Sequence, residues 1–150
     1  MKNVLEFNLK RNQLKLNSSL EVNMLREEIQ EFYDAETIAE RIDAMVDVRY
    51  VYEGTQLKHN YHMLPMSKDI TTVVGEFHRI SSTIVSQELG DDAQYLDKIM
   101  TKAWDIVCEI NAMKVSELDE NGKVVKQKNL PDATEHIDQL LTSMLTDAGE

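Results

Sequence analysis

Leu25-Arg-Glu-Glu-Ile-Gln-Glu-Phe32 and Glu40-Arg-Ile-Asp-Ala-Met-Val-Asp47 are the two stretches on which the fold turns. In the first, Leu25, Ile29 and Phe32 recur at the spacing of a buried helical stripe. Glu28 and Glu31, three residues apart, share a face of the same helix. In the second, offsets of three, four and seven align Glu40, Asp43 and Asp47 along one stripe. Like charges so spaced repel one another, and Asp47 lies between Val46 and Val48 in a strongly apolar run. A divalent cation is the simplest agent that stabilises such a cluster. A short connection between the two segments favours an antiparallel helical hairpin. The expected fold is therefore an all-α helical bundle with a carboxylate metal site between two antiparallel helices.

The composition agrees with that expectation. A chain of 150 residues is long enough for one domain with a substantial core, so a single domain over 1–150 is expected. Five Gly and two Pro are too few for the tight turns of an all-β fold, while eight Met suit adaptable helical packing. A net charge of −11 repels a phosphate backbone on average, which argues against nucleic acid as a partner. The one cysteine, Cys108, allows no internal disulfide and no zinc framework. The first fifteen residues do not resemble a secretory signal, and no apolar run approaches a membrane span. A cytoplasmic protein without membrane contact is the expectation.

Outward from the acidic stretches, Val4 to Leu16 is a mediocre pattern for a helix or an extended arm. Asn17-Ser18-Ser19 supplies N-cap chemistry for a helix from about Leu20 to Ala35, and the second acidic helix spans about Thr37 to Lys58. Ser67 caps a third from about Lys68 to Leu89, where length and apolar spacing favour helix over strand despite β-branched opening turns. Gly90-Asp91-Asp92 ends it, and a fourth follows from Ala93 to about Val115. A basic loop at about 116–131 contains the turn signal Asp119-Glu-Asn-Gly122 and a short extended piece over Lys123–Lys126. A last helix is expected over Asp132 to Leu145.

Solvated faces account for most Glu-rich helices and could explain Glu27, followed by Glu31 four residues on, and Glu36, but an apolar setting makes Asp47 hard to explain that way. Glu28 and Glu31 on one helix can face Asp43 and Asp47 on the other. Oxygen donors without nearby His or Cys suit Mg²⁺, or Mn²⁺, rather than zinc. Asn111 and Lys114 share a face at the end of their helix, followed by Lys123, Lys126 and Lys128. Alone, that group is a helix end whose Lys offsets the macrodipole. Beside a metal site it becomes a candidate phosphate contact. The four His residues have no ligand spacing, and Trp104, Phe77, Tyr50 and Cys108 read as core or inert helix positions.

Glu27-Glu28-Ile-Gln-Glu31 resembles the EExxE element of the all-α nucleoside triphosphate pyrophosphohydrolases, the MazG-like and phosphoribosyl-ATP pyrophosphohydrolase-like superfamily. Asp43-Ala-Met-Val-Asp47, running on to Gly54-Thr55, looks like the second metal helix of viral and bacterial members. Glu109-Ile-Asn111-Ala-Met-Lys114 resembles the family's Asn-x-x-Lys. Three motifs in order, over roughly residues 20–58 and 104–132, carry the likeness. The usual ExxD fits Glu40-Arg-Ile-Asp43 literally, while the downstream match favours Asp43 and Asp47, leaving Glu40 as the alternative ligand. Residues 60–103 form an insertion relative to compact members.

The resemblance implies metal-dependent hydrolysis of (deoxy)nucleoside triphosphates to a monophosphate and pyrophosphate. Glu28, Glu31, Asp43 and Asp47 would hold Mg²⁺ or Mn²⁺, and Glu27 would orient or deprotonate the attacking water. Asn111, Lys114, Lys123, Lys126 and Lys128 would contact the substrate. A homodimer or homotetramer is implied as well. Hydrolysis of phosphoribosyl-ATP ranks lower, and a non-catalytic helical protein presenting an acidic face to a basic partner is the alternative of a different class.

Overall fold

The computed structural model of the chain describes residues 2–10, 16, 18–113, 120 and 130–148. Six helices make up the described elements: α1 (Lys2–Lys10), α2 (Ser18–Asp34), α3 (Ile38–Tyr61), α4 (Lys68–Glu88), α5 (Ala93–Ala112) and α6 (Ala133–Ala148). The all-α expectation holds for them. The extended piece expected over Lys123–Lys126 lies outside the described residues.

Local chemistry explains most of the boundaries. Thr37 has extended backbone, and its hydroxyl accepts a hydrogen bond from Glu40 N at 3.2 Å. The Glu40 carboxylate reaches back to Glu36 N at 2.7 Å, so the start of α3 is held by reciprocal side-chain caps. At the start of α5 the Asp92 side chain caps the helix, accepting from Tyr95 N at 3.1 Å. The α4–α5 turn passes through Gly90 at φ 84° and Asp91 at φ 61°. Both lie in the left-handed region that glycine enters without strain and aspartate tolerates. Helix α3 runs three residues past the expected end at Lys58, to Tyr61. No breaker intervenes before Pro65, which disfavours helical backbone at the residue preceding it.

Helix α3 is the axis of the molecule and packs against α1, α2, α4, α5 and α6. Its consecutive residues Ala44, Met45 and Val46 are all buried. Neighbours in a helix point about 100° apart, so α3 is enclosed on most sides there. Beside it, α2 runs antiparallel, as the pairing of Glu21 with Lys58 at the far ends of the hairpin requires. Helix α1, expected as a poor helix or an arm, docks through Val4 and Phe7, with the Phe7 ring 5.4 Å from Tyr50 and perpendicular to it. It crosses over Gly54, where an added Cβ would lie 3.5 Å from Asn8 Nδ2 and 3.7 Å from Val4 Cγ1.

Residues 60–103, read as an insertion, supply α4 and half of α5, and their apolar faces belong to the core. Ile70, Phe77, Val85 and Ile99 are buried, and Phe77 meets Phe32 of α2 edge-on at 5.2 Å. Arg41 ties the start of α3 to the end of α4, its Nη1 contacting both Glu88 carboxylate oxygens at 2.9 and 3.0 Å.

Candidate metal centre

The antiparallel hairpin of α2 and α3 carries a polar seam through its apolar interface. At one end Lys58 Nζ lies 3.0 Å from Glu21 Oε1, in a nearly enclosed ion pair. Seven residues further along α2, two helical turns, comes Glu28, which is 5 % exposed. There one carboxylate oxygen from each of Glu28, Glu31 and Asp47 lies within 4.8 Å of the others. Glu28 is buried, Asp47 half-buried and Glu31 exposed, so the group opens to solvent on one side.

Charge repulsion opposes such an arrangement, and a cation relieves it. Oxygens on opposite sides of a Mg²⁺ are about 4.2 Å apart, twice a bond of roughly 2.1 Å. The 4.8 Å spread therefore suits direct ligation after small rotamer shifts, or ligation through an intervening water. The donor set is carboxylate oxygen alone, which fits a hard cation.

The four carboxylates expected to converge do so in part. Glu28, Glu31 and Asp47 form the group, whereas Asp43, one turn from Asp47 on α3, is engaged by α6. Its Oδ2 accepts a hydrogen bond from Thr134 Oγ1 at 3.0 Å. Glu40, the alternative ligand, is absorbed into the N-terminal cap of α3. Glu27 lies exposed on α2 beside the group. Asn111 is buried in the last turn of α5. Lys114, Lys123, Lys126 and Lys128 lie outside the described residues.

Two features of the seam escaped the sequence reading. Glu21 carried a usable signal: it stands between Leu20 and Val22, seven residues before Glu28 and on the same face. Thr134 carried none, because an exposed-looking Thr in a first helical turn has no local mark of a partner 91 positions away. His59 is buried with its Nδ1 2.8 Å from Thr55 O, a hydrogen-bonded structural position. Tyr50, Phe77 and Trp104 are core, and burial pushes the Cys108 thiol up from its ordinary range, so the thiolate nucleophile is disfavoured.

The fold and the site together define an all-helical protein with a carboxylate cluster between two antiparallel helices. No family model matches the chain, and neither a curated protein nor a solved structure does.

Proposed function

We propose that this protein is a metal-dependent nucleoside triphosphate pyrophosphohydrolase, releasing pyrophosphate and a (deoxy)nucleoside monophosphate. The observation that carries the reading is the approach of Glu28, Glu31 and Asp47 to within 4.8 Å across the hairpin. The order of the EExxE, Asp-x-x-x-Asp and Asn-x-x-Lys motifs supports it. When bound, Mg²⁺ or Mn²⁺ would neutralise phosphate charge and lower the pKa of a coordinated water. Glu28, Glu31 and Asp47 would hold the ion, whereas Asp43, expected as the fourth carboxylate, is engaged by Thr134. Glu27, exposed on the same helix, is the candidate to receive the proton of the attacking water. Asn111 and the lysines that follow it are the proposed substrate contacts. A homo-oligomer in the cytoplasm belongs to the same reading.

Pyrophosphate release from a panel of ribo- and deoxynucleoside triphosphates, with Mg²⁺, with Mn²⁺ and with chelator, tests it. Wild type should release pyrophosphate only with metal, and Asp47→Asn should lower turnover by roughly two orders of magnitude or more. Metal-independent release rejects the metal-dependent mechanism, and no release from folded protein under any condition rejects the enzyme and leaves an acidic interaction surface as the better account. The same panel, extended to phosphoribosyl-ATP, separates the narrower enzymatic alternative.

A further inference from the structure

We propose that α1 is a detachable strap, which lifts off α3 and α5 as a unit while α2–α6 stay folded, and so governs access to Cys108, the one thiol of the chain. The inference does not depend on the metal reading above.

Helix α1 has nine residues, shorter than the roughly 12–15 below which an isolated helix is marginal in water. Its helicity therefore depends on docking. Among the described residues it packs against α3 and α5 and against no other helix. Its apolar anchors are Val4, fully buried, and Phe7, half-buried with its ring edge-on to Tyr50 at 5.4 Å. The centre of the core lies elsewhere. Ile42, Val85, Ile99 and Ile137, all fully buried, belong to α3, α4, α5 and α6, which pack on one another directly.

Little polar structure breaks when α1 leaves. Asn8 is buried, yet its Nδ2 donates to Val4 O of its own helix at 2.8 Å, so the amide takes that partner with it. Beneath Asn8 lies Gly54, which presents no side chain to interlock with the strap. Across the joint the Asn3 side-chain amide hydrogen-bonds the Cys108 sulfur, a weak partner. Asn3 is exposed, which places the sulfur at the rim of the α1 contact, although Cys108 itself is only 8 % exposed. A segment with so few buried anchors opens at a fraction of the free energy of global unfolding. Opening of α1 then frees the sulfur without melting the bundle.

The test is alkylation of Cys108 in the full chain by iodoacetamide at fixed pH, its rate followed across urea concentrations below the unfolding transition. Lifting α1 alone exposes little surface, so the rate should hardly depend on urea in that range. Phe7→Ala should raise it about ten-fold or more, through loss of a large anchor. Ile42→Ala weakens the bundle about two turns of α3 before Tyr50. It should lower the urea midpoint and leave the labelling rate unchanged. Labelling that follows the full urea slope of global unfolding overturns the strap, and so does a rate that Phe7→Ala leaves where it was. An equal acceleration by Ile42→Ala overturns it too, because access would then run through the bundle as a whole. Labelling of the native protein as fast as that of the urea-unfolded chain would mean that α1 never covers the thiol, and is equally fatal. Should Phe7→Ala not fold by circular dichroism, Val4→Ala takes its place with the same expected acceleration.

Discussion

Glu21 is 2 % exposed, and its one described cationic partner is Lys58 at 3.0 Å. Burial pushes its carboxyl pKa above the ordinary 4.5, against the opposing pull of Lys58 and, more weakly, of His59. Its Oε2 has no hydrogen-bond partner among the described residues, which leaves that desolvation only partly offset. The consequence for stability has a definite sign. Between 4.5 and the raised folded value, the folded protein holds a proton that the unfolded chain does not. Stability contributed by this group therefore rises as pH falls through that window. Glu21→Gln should remove that slope, so the wild-type advantage in unfolding free energy grows on acidification toward pH 4.5. Denaturant melts of both proteins at several pH values measure it. The pair itself should behave as enclosed ion pairs do. Lys58→Met alone should lose about 3–5 kcal/mol, whereas Lys58→Met with Glu21→Leu should be neutral or stabilising.

Helices end where short-range chemistry ends them, and that is why element boundaries were largely legible. Asp92 caps α5 as expected from sequence, whereas Ser67 stands at the N-cap position of α4 without a side-chain cap hydrogen bond. Asp92→Ala should cost about 1 kcal/mol, because it leaves Tyr95 N without its side-chain acceptor. Gly75 sits exposed in the interior of α4, and an added Cβ would meet nothing within 4 Å. Gly75→Ala should stabilise by about 0.5–1 kcal/mol through helix propensity and a less flexible unfolded chain. Thermal melts of the two variants should move in opposite directions. The start of the chain was harder to read. The pattern from Val4 to Leu16 is weak as an isolated helix, and α1 is held by Val4, Phe7 and Asn8 against α3 rather than by its own propensity.

At the scale of the molecule, α3 decides stability as well as the site. Ile42 is fully buried one turn before Val46 on the helix that every other described helix touches. Ile42→Ala should cost about 2–5 kcal/mol, and the same truncation at exposed Val73 should change stability by less than about 0.5 kcal/mol. Trp104, the one tryptophan, packed against Tyr50 with Arg49 3.9 Å above its ring, offers a fluorescence probe to follow both unfolding transitions. What the amino-acid sequence determined by itself is the all-helical class, most helix positions, and the shared faces of Glu28 with Glu31 and of Asp43 with Asp47. Those follow from caps, breakers and a 3.6-residue period, all of which act within a few residues. Only the tertiary structure decided that Glu28, Glu31 and Asp47 meet while Asp43 turns to Thr134, and that Glu21 pairs with Lys58. Periodicity tells which way a side chain points from its own helix axis. The sliding register and crossing of one helix on another depend on how distant side chains interdigitate in the core, and no local pattern encodes that.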